Sequence, residues 1–304
     1  MRLPCGLRGQ VFQKPLRYAI FLPIPMNLQE FQQQLRTTGR YETPAGLSRS
    51  VPARGGFLAS ARFHLGVAER AISGGCKAWR GRYNFTVWAR DSLTVLQSVE
   101  RLGGSVVCEG FAPRAAHAGP VVYVANHMSM LETMVLPCLL TSFSPVAIVL
   151  KSDLMHYPFF GLLCRAITPI VVSRTNVRAD LQAVMEQGCA KLAAGSSVLL
   201  FPQGTRMAVF QPRRFNSMGT KLAQAAGVPL VPIALKTNFV GLGWPIKDLG
   251  PIDPAQTVRF AAGPLLAPDI PSRALHQQSL AFIIDRFRVW GVPVEKEKEP
   301  QNIE

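Results

Sequence analysis

The sequence lacks several features that would assign it to a common class of protein. No stretch of its 304 residues approaches 18 consecutive apolar residues, so we predict no transmembrane helix. It contains neither a GxGxxG nor a GxxxxGK[ST] loop, so we expect no nucleotide cofactor. The six cysteines form no CxxC pair and show no regular spacing with histidine. We therefore expect reduced thiols and no metal site.

Acidic residues are scarce. There are 18 Asp and Glu against 33 Lys and Arg, which gives a net charge of +15. This excess indicates a polyanionic partner: a nucleic acid, an anionic membrane surface or a phosphorylated substrate. Nucleic-acid binding would need exposed motifs that mix aromatic and basic residues, and the chain after residue 104 has none, so no nucleic acid is expected. A basic membrane- or nucleic-acid-binding protein without catalysis is the alternative from another class.

Composition divides the chain into four parts. Residues 1–55 carry Pro, Gly, Gln and Arg without sustained periodicity, which predicts a flexible basic segment. Residues 56–103 have the periodicity of an amphipathic helix pair. Residues 104–292 are predicted to form one α/β domain, and residues 293–304 a charged, frayed tail.

The helix pair admits two interpretations. Apolar stripes at helical spacing run through 57–72 and 85–102. The residues between and around them mix basic and aromatic side chains: Lys77, Trp79, Arg80, Arg82 and Tyr83. That mixture suits a two-helix motif lying in a membrane interface. A helical hairpin packed against the main domain explains the stripes equally well.

After residue 104, strand-like runs alternate with helical periodicity. The runs lie at 105–111, 121–125, 146–150, 169–172, 197–201, 229–235 and 257–263. Helical patterns at 180–194, 217–226 and 276–290 are each followed by a glycine, a common helix end. This alternation predicts an α/β fold with a mixed or largely parallel sheet flanked by helices.

The stretch NHMSMLE (126–132) directly follows the run at 121–125. Ser129 and Glu132 have the spacing of a helix capping box. Alternatively, His127 is a general base whose tautomer is fixed by Glu132. Residues five apart on a helix point about 140° away from each other, so these two side chains meet only if His127 lies in the turn before the helix.

A second stretch, FPQGTRM (201–207), follows the run at 197–201. A turn at Gly204 and Thr205 exposes backbone N–H groups, and Arg206 adds a fixed positive charge, which suits a phosphate or a developing oxyanion. Arg174 also follows a strand-like run directly. Side chains at several strand ends can meet at the mouth of one α/β crevice.

In their order and spacing, these motifs resemble the glycerolipid acyltransferases, and more narrowly the 1-acylglycerol-3-phosphate acyltransferases. NH-x4-acid is followed by KSDLMHYPFFG (151–161), SR, FP-x-GTR and VPIAL, and the resemblance covers roughly 104–265. It implies acyl transfer from acyl-CoA or acyl carrier protein, as co-substrates, to the hydroxyl of a lysophospholipid. It also implies a membrane-associated enzyme on the cytoplasmic face that contacts membrane phospholipids. An acyltransferase or transacylase for another lysolipid head group is the alternative.

The resemblance assigns roles to individual residues. His127 matches the catalytic base and Glu132 its orienting acid. The acceptor's phosphate and glycerol would be bound by Arg174, Gln203, Gly204, Thr205 and Arg206. The region near the acyl tunnel contains Lys151, Leu154 and Pro158.

Two positions depart from the family pattern. Glu132 stands where Asp is usual; it keeps the charge, so we expect catalysis to be retained. Gln203 stands where Glu is usual, which removes a negative charge beside the expected phosphate site. We expect that loss to alter the preference for the acceptor.

Overall fold

The computed structural model of the chain describes residues 26–45, 47 and 56–295. The helices are α1 (Leu28–Thr38), α2 (Phe57–Trp79), α3 (Phe85–Arg101), α4 (Ala112–Ala116), α5 (Leu131–Leu140), α6 (Phe160–Ala166), α7 (Val177–Ala193), α8 (Met218–Ala226) and α9 (Ser272–Trp290). The strands are β1 (Tyr41–Glu42), β2 (Val106–Glu109), β3 (Val122–Ala125), β4 (Val146–Lys151), β5 (Ile170–Val172), β6 (Ser197–Leu200), β7 (Leu230–Lys236) and β8 (Val258–Ala262). Short 3-10 helices lie at Ser152–His156 and Pro212–Arg214.

Within the described residues the strands form one sheet in the order β1-β2-β8-β7-β3-β6-β4-β5. Neighbouring strands in the part of the sheet that runs β7-β3-β6-β4-β5 are all parallel. The pairs β7–β8 and β1–β2 are antiparallel. The predicted mixed, largely parallel sheet flanked by helices is therefore confirmed. Because parallel strands point the same way, the segments that follow β3, β4, β5, β6 and β7 all leave the sheet at one edge.

Part of the N-terminal segment 1–55, which we predicted to be flexible, forms regular secondary structure. Residues 1–25, 46 and 48–55 lie outside the described residues, but residues 26–43 are ordered. Helix α1 is capped by Asn27 and buries Phe31 and Leu35 in the core. Strand β1 is anchored by the Tyr41 hydroxyl, which donates to the buried carboxylate of Glu100 at 2.7 Å. The helix sequence, LQEFQQQLRTT, carries only three apolar side chains, so a short helix at QEFQQQL is one interpretation of a segment expected to be mainly irregular.

The two predicted amphipathic helices are present and face different surroundings. On α3, Trp88, Leu96 and Val99 are buried against the domain. On α2, the apolar stripe points outward, with Phe57 85% and Leu58 83% exposed. The packed-hairpin interpretation therefore describes α3, whereas the stripe of α2 is left uncovered by the described chain. None of the described helices is long and apolar enough to cross a bilayer.

The C-terminal tail begins later than expected. Val294 forms a β-bridge with Phe210, and the Glu295 N–H donates to the Phe210 carbonyl at 2.8 Å. Residues 296–304 lie outside the described residues.

Candidate active site

His127 and Glu132 meet in the turn between β3 and α5. Strand β3 ends at Ala125 and α5 begins at Leu131, so His127 precedes the helix and its ring folds back over it. The His127 Nδ1 lies 2.8 Å from Glu132 Oε1. A carboxylate at this distance holds the proton on Nδ1 and leaves Nε2 as the basic nitrogen of the neutral ring.

The Glu132 carboxylate is fully buried and is surrounded by hydrogen-bond donors. Oε1 accepts from the backbone N–H groups of Met128 at 2.5 Å and Ser129 at 2.8 Å, and Oε2 accepts from the Thr237 hydroxyl at 2.5 Å. Burial by itself would raise the pKa of Glu132, but the hydrogen bond and charge of His127 and the Thr237 hydroxyl bring that pKa below its ordinary value.

The predicted capping box is only half present. Glu132 accepts from the Ser129 N–H, as the box requires. The Ser129 hydroxyl, however, accepts from the Leu131 N–H at 3.1 Å and contacts Glu132 Oε2 at 3.0 Å. Glu132 therefore closes the helix start and orients His127 with the same carboxylate.

The His127 ring is held from its other sides as well. It stacks on Phe201 with ring centroids 4.5 Å apart, and the His127 backbone carbonyl accepts from the Met207 N–H at 3.0 Å. Among the described residues Nε2 has no hydrogen-bond partner, and His127 lines a cavity. The arrangement leaves one basic nitrogen available to a ligand in that cavity.

Gln203 does not occupy the position expected for an acceptor-binding residue. Its side chain is buried, with Oε1 accepting from the His127 N–H at 2.7 Å and Nε2 3.4 Å from the Met207 sulfur. It does not contribute to the cavity wall. The amide therefore positions the backbone of His127, and the inference that Gln203 faces the acceptor needs correction.

This position predicts a specific mutational outcome. Gln203→Glu keeps an oxygen for the His127 N–H, so we expect the relative rates with different lysolipid acceptors to stay within about twofold. Gln203→Leu leaves that buried N–H without a partner, which typically costs about 1–3 kcal/mol, so a fall in both melting temperature and kcat is expected. An acceptor panel assayed with both variants measures this. If Gln203→Glu alone changes the ranking of the acceptors, the residue at position 203 does influence the preference for the acceptor, as the sequence suggested.

Arg174 and Arg206 lie close together at the same sheet edge. Arg174 sits in a left-handed turn with a φ of 62°, and its backbone N–H donates to Asp180 Oδ2 at 2.7 Å. Its guanidinium donates to the Gly204 carbonyl. Desolvation lowers the pKa of Arg206, and the positive charge of Arg174 acts in the same direction. The two strand-end arginines predicted to converge are therefore neighbours.

The Arg206 and Lys151 side chains each have an acidic partner. Arg206 pairs with Asp248. Lys151 pairs with Asp153 in the 3-10 helix after β4. Because Arg206 carries one acid for a five-donor guanidinium, it keeps N–H groups that can bind an anion.

A cavity of about 530 Å³ opens beside His127. At one end its wall contains His127, Arg174, Thr205 and Arg206. Elsewhere the wall is mainly apolar and comes from α2, α3, α5, β4 and α6. Lys151, Leu154 and Pro158, predicted to lie near an acyl tunnel, line it too. The cavity thus joins a cationic end beside a basic nitrogen to an apolar compartment.

Sequence reasoning missed three residues that build this site. Asn126 extends the pairing of β3 with β7, since Nδ2 donates to the Leu235 carbonyl at 2.9 Å and Oδ1 accepts from the Leu235 N–H at 2.8 Å. Thr237 supplies the hydroxyl on Glu132, and Asp248 pairs with Arg206. Thr237 directly follows β7, and that polar position at a strand end was the available signal. Among the described residues no cluster of His, Cys, Asp and Glu is suited to a metal ion.

Comparisons with known proteins agree with this architecture. Residues 106–236 match the family model described as Acyltransferase. The chain is 34% identical over 169 residues to a 1-acyl-sn-glycerol-3-phosphate acyltransferase of Pseudomonas aeruginosa, a match that covers 55% of this chain and 62% of that protein. It is 36% identical over 115 residues to a lyso-ornithine lipid O-acyltransferase of Rhizobium meliloti, covering 37% of each.

A solved structure shares the fold. The 1-acyl-sn-glycerophosphate acyltransferase from Thermotoga maritima superposes with a TM-score of 0.61 at 16% identity, covering 79% of this chain and 97% of that one. The matched part spans less than two thirds of the two curated relatives named above. Residues 106–236 thus match an acyltransferase family model, and part of the chain is similar to the glycerolipid acyltransferases named above.

Proposed function

We propose that the protein transfers a fatty acyl group from a thioester donor to the hydroxyl of a lysophospholipid, with 1-acylglycerol-3-phosphate as its acceptor. The observation that carries this proposal is the His127–Glu132 pair, whose free Nε2 borders a cavity that is cationic at one end and apolar beyond. The match to the 1-acyl-sn-glycerol-3-phosphate acyltransferase of Pseudomonas aeruginosa supports the choice of acceptor.

In the proposed reaction His127 acts as base and then as acid. Nε2 takes the proton of the acceptor hydroxyl as its oxygen bonds to the thioester carbonyl carbon. The carbon–sulfur bond then breaks, and the departing thiolate takes the proton from Nε2. Glu132 stabilises the imidazolium that exists between these steps, as the acid of a catalytic triad does.

The negative charge on the carbonyl oxygen needs donors close to His127. In the 204–207 turn, the Gly204 N–H already donates to the Phe201 carbonyl and the Met207 N–H to the His127 carbonyl. Among the described residues, the amides of Thr205 and Arg206 have no partner. We assign the oxyanion to these two N–H groups alone, and not to every backbone N–H group of residues 204–206.

The acceptor's phosphate is assigned to Arg206 and Arg174. Both line the cationic end of the cavity, and their charges are only partly offset by Asp248 and by the carbonyl of Gly204. Arginine presents paired N–H groups that match phosphate oxygens. Acyl-CoA and acyl carrier protein both remain proposed donors, and the mechanism uses no further cofactor.

Removal of the Arg206 charge tests the choice of acceptor. Arg206→Gln is expected to raise KM for lysophosphatidate roughly 10- to 100-fold, since a charge-assisted phosphate contact contributes about 1.5–3 kcal/mol. The KM for monoacylglycerol, which has no phosphate, should change little. Arg273→Gln, an exposed arginine on α9, serves as the charge-matched control. Equal loss with both acceptors would argue against a phosphate site.

Another acceptor is favoured by one observation. The Rhizobium relative is named for acylation of a lyso-ornithine lipid, and its match is of similar identity over a shorter segment. Ornithine carries no phosphate, so the same Arg206→Gln assay with lyso-ornithine lipid as third acceptor separates the two candidates.

A transacylase would use an intact phospholipid as donor in place of a thioester.

Membrane association is proposed from two exposed apolar segments that lie near each other. We define the interfacial patch as the outer stripe of α2 together with the loop 242–249. In that loop Trp244 is 94% exposed. Hydrogen bonds hold α2 beside the residues that directly follow this loop, because His64 Nε2 lies 2.7 Å from the Gly250 carbonyl and the Ser60 hydroxyl accepts from the Ile252 N–H at 3.1 Å. The patch and the nearby basic residues suit a bilayer surface, and the cytoplasmic face is the side expected from the resemblance.

Polar replacements in the interfacial patch should weaken lipid binding. The triple change Phe57→Ser, Leu58→Ser, Trp244→Ser is expected to lower the affinity for anionic liposomes on the order of 100-fold, because three large apolar side chains leave the interface. Val209→Ser with Val289→Ser removes exposed apolar side chains elsewhere and is the control. Liposome co-sedimentation measures both. Equal affinity of the triple variant and the wild type would place the membrane contact elsewhere.

A further inference from the structure

The apolar compartment of the cavity contains two buried polar groups without partners. The Tyr83 hydroxyl and Asp91 Oδ2 make no hydrogen bond within the described chain. Their residues are only 7% and 8% exposed, and both line the cavity. A buried donor or acceptor without a partner typically costs about 1–3 kcal/mol, so such a pair calls for an explanation.

The two side chains are held in place by their neighbours. A Cβ added to Gly74 would lie 3.0 Å from the Tyr83 ring and 2.8 Å from Leu163, so the ring is wedged against α2 and α6. Asp91 Oδ1 lies 3.7 Å from Lys77 Nζ, which directs that oxygen toward α2 and leaves Oδ2 free. Tyr83 and Asp91 lie side by side. Burial raises the pKa of Tyr83 most, and the charge of Asp91 and a side-chain contact with it, whose geometry falls short of a full hydrogen bond, raise that pKa further.

The free groups are complementary to one kind of ligand atom. The Tyr83 hydroxyl offers a proton, and Asp91 Oδ2 offers a lone pair. Burial raises the pKa of Asp91, and the charges of Lys77 and Arg70 oppose that rise. A hydroxyl oxygen can accept from the first and donate to the second, whereas a methylene group satisfies neither. Resting on the proposed function, we propose that Tyr83 and Asp91 form a polar subsite in the acyl compartment that recognises a hydroxyl group on the fatty acyl chain.

The subsite is tested with acyl-CoA thioesters of equal length that carry one hydroxyl at successive carbons. The wild type should favour one narrow range of hydroxyl positions over the plain chain, by roughly tenfold in kcat/KM if the subsite contributes one hydrogen bond. Tyr83→Phe and Asp91→Asn should each remove that preference. Tyr157→Phe deletes a second tyrosine hydroxyl that borders the same cavity and should keep the preference.

A binding measurement keeps this inference separate from the proposed reaction. Free hydroxylated and plain fatty acids are titrated calorimetrically into the same four proteins, with no turnover required. A preference for one hydroxyl position that Tyr83→Phe abolishes supports the subsite even if no acyl-CoA is consumed. If every hydroxylated chain binds more weakly than the plain one, and Tyr83→Phe lowers only the melting temperature, the two groups bond each other or water and the inference is overturned.

Discussion

His127→Ala is expected to lower kcat/KM for acyl transfer by about a thousandfold, within the usual contribution of a positioned general base. The loss should appear in kcat, because Nε2 acts on the proton of the reacting hydroxyl and the apolar and cationic walls of the cavity are unchanged. The fold should survive. Glu132 Oε1 still accepts from the Met128 and Ser129 N–H groups when the imidazole is gone. Initial rates with saturating acceptor, together with a thermal melt, measure both statements.

An exposed histidine provides the control for this change. His156 ends the 3-10 helix after β4, and His156→Ala should keep wild-type turnover. Turnover of His127→Ala within tenfold of the wild type, with a normal melting temperature, would contradict the role of His127 as base.

Glu132→Gln is expected to reduce both stability and turnover. The carboxylate accepts from Met128, Ser129 and Thr237, whereas an amide would direct N–H groups at some of these donors. Breaking a buried, hydrogen-bonded charge typically costs about 3 kcal/mol, and the His127 tautomer would no longer be fixed. Urea denaturation measures the free energy of unfolding, and kcat reports the tautomer. Glu132→Asp keeps the charge and should lose less of each.

The effect of pH on this difference follows from the pKa of Glu132. That pKa lies below its ordinary value of 4.5. A carboxyl whose pKa is lowered by folding adds stability that is fully present above the unfolded value and is lost as the pH falls through the folded value. The difference in unfolding free energy between the wild type and Glu132→Gln should thus stay constant from pH 7 to about pH 5 and shrink only below that. A difference that already shrinks between pH 7 and pH 6 would contradict the lowered pKa.

Much of the fold and part of the site follow from local sequence patterns. The seven strand-like runs after residue 104 all form strands, because a buried parallel sheet needs short β-branched runs that are visible without tertiary information. The position of His127 after β3 was predictable for the same reason. The roles assigned to His127 and Glu132 stay predictions, although the two side chains do meet.

The partners of these residues could not be predicted, because they come from distant parts of the chain. Thr237 bonds Glu132 across 105 residues, and Asp248 pairs with Arg206 across 42. No periodicity links such positions in a single sequence. Gln203 shows the converse difficulty. Its motif position was clear, but the inward direction of its amide depends on the His127 backbone.

The amphipathic helices illustrate a further limit. Apolar stripes on α2 and α3 look alike in the sequence, yet one is buried and the other is exposed. The period of a stripe reports that a helix has an apolar face and does not report what covers it. The α3 stripe is buried because α3 packs against α5, where the Ser92 hydroxyl accepts from the Cys138 N–H at 2.9 Å. Only the tertiary structure shows this contact.

Lipid mass spectrometry tests the central claim most directly. The wild-type protein and His127→Ala are each expressed in a host that lacks its own 1-acylglycerol-3-phosphate acyltransferase activity, at matched protein levels. We expect phosphatidate to accumulate and lysophosphatidate to fall with the wild type, and neither to change with His127→Ala. Unchanged lysophosphatidate in cells containing folded wild-type protein, or equal phosphatidate with both proteins, would contradict it.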